Sequence, residues 1–460
     1  MQRLNRGMMS RYEIPEHIPQ FIRAVQFGLD ETLLGVADRL LDGAGVGVAA
    51  VPVAPPAQGK DPAALLREQD GMYTCFVRGY LGETPVNREE VAQAIVRVVD
   101  PGEVEALNDE PGLSLAVFNA DGEAFNTALD LAARLMLARQ ERGLPGLDCL
   151  CLGEGDNPAG DVREGLVTRA PGLAPWLETH CAFLPALADG IALRAEAKEA
   201  AALCERMNYA DGMIHLAEPG VTLTIQAPRD RRPFDAAEGI AFVDDLRPIL
   251  AKKRRLFDAG LFLMAAPGWL LGLNTLADCM RHEALRAYVG RGYMEELLPA
   301  DPAARAADTP FVVRSFERFE NPLNDNAILR VAHHPLRRFR RAALPLIRAW
   351  AGENFEPPRR LAFALAATIM LCAGARPDRD GQYTVLRGKE THRLADDPAA
   401  LAVFATLSHD MPPEALAYAA LADRELWGGD LRELDGLEAR VALDIANLQR
   451  NPRFVPGEED

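Results

Sequence analysis

Residues 19–53 read PQFIRAVQFGLDETLLGVADRLLDGAGVGVAAVPV. An apolar run, Pro19–Phe27, ends at Gly28. A helical pattern follows over Thr32–Asp42 and breaks at Gly43, and a second apolar run, Gly47–Val53, comes directly after. The order strand, glycine turn, helix, strand is that of a dinucleotide-binding unit, in which the glycine lets the backbone turn tightly and the helix N-terminus receives a pyrophosphate. Further along, Leu113–Phe118, Asp148–Leu152, Val221–Gln226 and Ile240–Val243 read as strands. Helical stretches such as Ala124–Arg142 lie between them. Strands alternating with helices predict a mostly parallel sheet covered on both faces.

The pattern changes near Val243. From Asp244 onward the periodicity is helical nearly throughout, over Asp245–Phe262, Thr275–Leu298, Pro335–Ala351 and Arg359–Ala375, with a single strand-like stretch at Gln382–Leu386. Pro357 and Pro358 start the last of these helices and Gly374 lies near its end. A chain of 460 residues exceeds what one core supports. The reading is two domains: an α/β domain over residues 1–243 and a mainly α-helical domain over 244–460. The tail from Pro456 is expected to fray.

With 48% hydrophobic and 25% charged residues the chain is globular rather than disordered. Its 50 Lys+Arg against 67 Asp+Glu give a net charge of −17, which argues against nucleic acid and anionic membranes as partners. The seven cysteines include no C-x-x-C, and the first residues lack an apolar signal segment, so reduced thiols and a cytoplasmic location are expected. The longest apolar run, Leu261–Leu273, is broken by Pro267 and Gly268 and is too short to span a bilayer. His333-His334 has no companion carboxylate or cysteine at ligand spacing, so no metal site is expected.

Several stretches, in order along nearly the whole chain, resemble the tagaturonate reductases (altronate oxidoreductases) of the mannitol dehydrogenase family. They are Leu4-Asn5-Arg6, Gln26-Phe27-Gly28, Gln69-Asp70-Gly71-Met72-Tyr73-Thr74, Val243-Asp244-Asp245 with Lys253, Arg318-Phe319-Glu320-Asn321-Pro322, and Arg360-Leu361-Ala362-Phe363-Ala364-Leu365-Ala366-Ala367. The resemblance implies a Rossmann-type domain followed by a helical domain, with the active site in the cleft between them. It also implies interconversion of a keto sugar acid or ketose and the corresponding hydroxy acid or polyol. NAD or NADP is the implied cofactor, without a metal, and a small anionic sugar or sugar acid the implied substrate.

The same resemblance assigns residues. Gly28, Leu29, Asp30, Asp70 and Asn119 fall to the cofactor. Lys253 matches the family's base. Asp258 stands where the family has an asparagine, and Leu261 where it has a histidine. At 100° per residue these three positions share an arc of roughly 140°. Glu154, Asn157, Asp189 and Arg338 fall to the substrate, and Arg330, in the arginine-rich stretch that ends at Arg341, is a further candidate to hold an anionic group by charge-assisted bonds. Arg338 replaces a lysine that contacts substrate, and Glu218 matches a family acid near the cleft. Ala159 takes the place of an assisting asparagine, which Asn157 replaces only if the loop shifts by two residues.

Four departures carry physical consequences. Asp30 replaces the second glycine of the family's F-G-x-G-x-F turn, bringing bulk and negative charge to a phosphate seat. One reading makes it an N-cap of a helix that binds no anion. The other displaces the cofactor toward other donors. The strand end Val51-Pro52-Val53-Ala54-Pro55-Pro56 offers no acid for a ribose. Asp258 favours an ammonium on Lys253 and donates no hydrogen bond while ionised, and Leu261 donates none. Each lost oxyanion donor costs about 3 kcal/mol. Two functions stay open: an NAD(P)-linked oxidoreductase using Lys253, with Arg330 or Arg338 gripping an anion, or a homologue that kept the scaffold and binds or regulates without redox chemistry.

Overall fold

The computed structural model describes residues 1–9, 21–54, 61–122, 124–324, 326–353, 356–379 and 381–457. Pro19, Gln20, Pro55, Pro56 and the last three residues of the tail lie outside them. The chain forms two compact units, Met1–Pro248 and Ile249–Asp460.

An eight-stranded sheet organises the first unit. Its strands along the chain are β1 (Ile22–Phe27), β2 (Gly47–Val51), β3 (Ile95–Val98), β4 (Leu115–Asn119), β5 (Asp148–Leu152), β6 (Phe183–Asp189), β7 (Thr222–Gln226) and β8 (Ile240–Val243). Their spatial order is β8-β7-β6-β5-β4-β1-β2-β3. All neighbours run parallel except β6 and β7. From β3 to β6 this is the doubly wound order, and the direction of winding reverses between β1 and β4.

Alternation along the strands builds a core on each face. Val25, Phe27, Ala116 and Phe118 join Leu129, Leu135 and Met136 of the helix Phe125–Glu141 on one side. Ala24, Val48, Leu115 and Val117 join Leu33, Ala37 and Leu41 of the helix over 31–43 on the other. Residues Leu33–Asp38 of that helix are wound as a π-helix. A four-stranded sheet that the apolar patterning does not announce lies beside this one. It holds a long hairpin, Tyr73–Leu81 with Thr84–Ala92, extended by His215–Ala217 and Ala192–Arg194.

The second unit is mainly helical. The helix Arg359–Cys372 is buried from Leu361 to Cys372 and packs against the helices Ala259–Leu270 and Leu437–Arg450. Two long helices expected from periodicity are divided. Thr275–Leu298 breaks at His282, whose extended backbone and ring nitrogen cap the helix Glu283–Gly292. Pro335–Ala351 resolves into Pro335–Ala342 and Leu344–Glu353. The single expected strand belongs to a three-stranded sheet, Arg376–Pro377, Tyr383–Arg387 and Glu390–Arg393. Among the described residues no helix is long and apolar enough to cross a membrane, and none of the seven cysteines is paired.

Candidate active site

The turn after β1 is fixed by close packing. Phe27 stacks on Phe118 of β4, with ring centroids 5.2 Å apart. Gly28 has φ 127°, and a Cβ there would lie 2.9 Å from the Leu33 side chain, so the position requires glycine. Leu29 leads into Asp30, the N-cap of the helix. One Asp30 oxygen, Oδ1, accepts from the Thr32 amide at 3.0 Å, the Leu33 amide at 3.1 Å and Asn119 Nδ2 at 3.1 Å. Burial outweighs the pull of those three hydrogen bonds and, with Glu31 adjacent, holds the pKa of this carboxyl above the usual aspartate value. Gly28, Leu29, Asp30 and Asn119 therefore converge at the sheet's reversal point. Asp70 does not share in this: it is exposed, has φ 53°, and its carboxylate accepts from the Arg6 amide at 3.1 Å. The frame fits an adenine dinucleotide, provided that Asp30 releases the amides at the start of the helix.

Beneath the turn sits a carboxyl that sequence reasoning passed over. Asp38 is fully buried, and Gln26 Nε2 donates both to it at 3.3 Å and to the Gly28 carbonyl at 3.1 Å. Desolvation, with Asp30 and Asp42 nearby, pushes its pKa up to about 8. The signal was its place in the amphipathic pattern, an acid on the apolar side of the helix beside Ala37 and Leu41.

The second unit opens on a buried group of charged side chains. A helix runs Arg247–Lys253, continues as a π-helix over Arg254–Asp258, and returns to α over Ala259–Leu270. The wide i→i+5 turn brings Asp258 nearly in line with Lys253, so the α-helical arc expected for them does not apply. Lys253 is 4% exposed, and its Nζ donates to both oxygens of Asp258 at 3.0 Å. Arg338, from the helix Pro335–Ala342, donates to Asp258 Oδ1 at 2.8 Å and to the Val331 carbonyl at 2.7 Å. The Phe257 ring lies 5.5 Å from the ammonium. Leu261 is fully buried in the apolar body of the helix and brings no polar group. Tyr293 donates to the Leu256 carbonyl at 2.5 Å, fixing the π segment from a neighbouring element.

Residues 245–449 match the mannitol dehydrogenase C-terminal domain. The altronate oxidoreductase of Halalkalibacterium halodurans is 26% identical, over 97% of this chain and 94% of its own length. That of Cronobacter sakazakii is 27% identical, over 92% and 93%. In three dimensions the chain is similar to Pseudomonas fluorescens mannitol 2-dehydrogenase, solved as a ternary complex with NAD and D-mannitol, with a TM-score of 0.79 at 17% identity and 98% coverage of both chains. The chain thus resembles members of the mannitol dehydrogenase family, and its residues 245–449 carry that family's C-terminal domain.

The remaining candidate positions divide by what their side chains do. Asn157 is exposed and caps the helix Pro158–Arg169, accepting from the Gly160 amide at 3.0 Å, so its carbonyl oxygen is committed locally. Ala159, in the first turn of that helix, offers no donor where the family has its asparagine. Glu154 is partly buried, its amide held by Asp121 at 2.6 Å. Asp189 ends β6 opposite Thr222, and Glu218 accepts from the Ile191 amide at 2.7 Å. Arg330 lies on the short helix Ile328–Val331, whose last carbonyl receives Arg338. Among the described residues no group of three His, Cys, Asp or Glu is placed to hold a metal ion.

Proposed function

We propose that this protein is a nicotinamide-linked oxidoreductase that reduces the keto group of a small anionic sugar acid, of the kind related to altronate. The buried amine of Lys253, held by both oxygens of Asp258, carries the reading. A lysine base for alcohol oxidation needs a neutral amine, whereas a carboxylate 3.0 Å away favours the ammonium. The arrangement therefore suits the reductive direction, in which Lys253 Nζ donates a proton to the oxygen of the forming alcohol. NAD or NADP, when bound, supplies the hydride. Arg338, with N–H groups on Asp258 and on the Val331 carbonyl, positions the carboxylate. Arg330 is the residue we assign to the substrate's own carboxylate, by a charge-assisted bond. Gly28, Leu29, Asp30 and Asn119 line the cofactor turn.

The second reading, a homologue that binds without redox chemistry, draws on two observations: Asp30 occupies the amides at the start of the helix, and the buried Leu261 offers no polar group. Melting in excess NADH and NADPH separates the readings. A working cofactor site raises the melting temperature by mass action, and tagaturonate then oxidises the added NADH. No shift with either coenzyme sinks the oxidoreductase. In that case the triple variant Asp30→Gly, Asp258→Asn and Leu261→His reports whether only these residues had diverged.

A further inference from the structure

We propose that the Asp30 carboxylate is a built-in occupant of the phosphate seat and sets dinucleotide affinity, because it has to leave before a pyrophosphate enters. The inference rests on the cofactor reading of this turn and concerns how the turn is kept.

A helix start offers backbone N–H groups to an anion, and Oδ1 of Asp30 takes those of Thr32 and Leu33. It takes an N–H of Asn119 as well, from the far side of the sheet's reversal point. Space at the turn is used in the same way. A Cβ built on Gly28 would lie 3.4 Å from Asp30 Oδ2, and one on Gly122, in the loop after β4, would lie 3.6 Å from the same oxygen. Asp30 Oδ2 thus lies against two glycines, one from either side of the reversal point. The nearest charge is also negative: Glu31 is the next residue, its carboxylate bound to the Arg194 amide at 2.9 Å. An incoming pyrophosphate meets occupied donors and like charge.

Nothing covalent holds Asp30 in the seat. A rotation about its side chain would free the two amides and the Asn119 group for a ligand, at the cost of the cap. Caps of this kind are worth roughly 1 kcal/mol, so the competition alone weakens binding by roughly fivefold, before charge repulsion is added.

The experiment is titration of the full chain with NADH and NADPH, followed by coenzyme fluorescence, for wild type, Asp30→Asn and Asp30→Gly. Asparagine keeps a capping oxygen and removes the charge, so it preserves the fold if glycine does not. Glycine removes both. The expected order of affinity is wild type weakest, Asp30→Asn tighter, and Asp30→Gly tightest, by about tenfold or more over wild type. Wild type binding as tightly as both variants would overturn the inference while leaving the cofactor reading intact. Failure of all three folded proteins to bind either coenzyme would overturn both.

Discussion

Replacing Asp38 by asparagine should stabilise the protein at neutral pH. The side chain is fully buried beneath the cofactor turn, and its Oδ1 has no hydrogen-bond partner among the described residues. Gln26 supplies one long bond to the other oxygen, while Asp30 and Asp42 add like charge. The folded pKa rises to about 8, from the usual aspartate value of 3.8. A carboxyl raised in this way leaves stability intact below about pH 4 and erodes it as pH climbs toward 8, because folding then has to recover a proton. At 1.36 kcal/mol per pH unit the erosion reaches about 4 kcal/mol at pH 7. Asparagine has nearly the same shape and no proton to recover. Urea unfolding at pH 4.5, 7 and 8.5 should therefore give curves for Asp38→Asn and wild type that approach each other in acid and separate in base, with the variant more stable. A variant less stable at every pH by a constant amount would mean that Asp38 is ionised and well partnered in the fold, and the reasoning would fail.

Two further outcomes follow from the ion pairs and caps. Asp258→Asn alone leaves Lys253 and Arg338 as two buried cations without their shared carboxylate, so urea unfolding should show a loss of about 3–5 kcal/mol; adding Arg338→Met should recover part of it, and additive losses would contradict the pairing. Asp396 accepts from the Leu336 and Arg337 amides at the start of the helix that carries Arg338, and burial raises its pKa to about 6. Since the raised value makes its ionised form the costly one, Asp396→Asn should flatten the pH dependence of stability between pH 4 and 6, which thermal melts across that window would check.

The first unit was readable because its signals are local and redundant. Asp148–Leu152 and Ile240–Val243 form strands with the bounds their apolar runs suggest. The hairpin strand Thr84–Ala92 was not, since an edge strand exposing Asn87, Arg88 and Glu89 carries none of the apolar alternation that marks a half-buried strand. Its turn holds Gly82 at φ 63°, a short-range signal that charge obscured. In the second unit, periodicity ran through His282, where a cap divides two helices that share similar patterning. The site was legible as residue identities and not as contacts. Lys253 and Asp258 stand five apart, a spacing that meets only on a π turn, and the 80 residues separating Asp258 from Arg338 leave no pattern in one sequence. Asp30 as a cap, by contrast, is readable from a carboxylate just before a helix.

The central claim is that the Lys253 ammonium delivers the proton in reduction of a keto sugar acid. The direct measurement is the steady-state rate of NADH-dependent tagaturonate reduction by wild type and by Lys253→Met, with coenzyme binding measured on both. The account predicts unchanged coenzyme affinity and a rate lower by roughly 100- to 10,000-fold. Equal rates in the two proteins would contradict it.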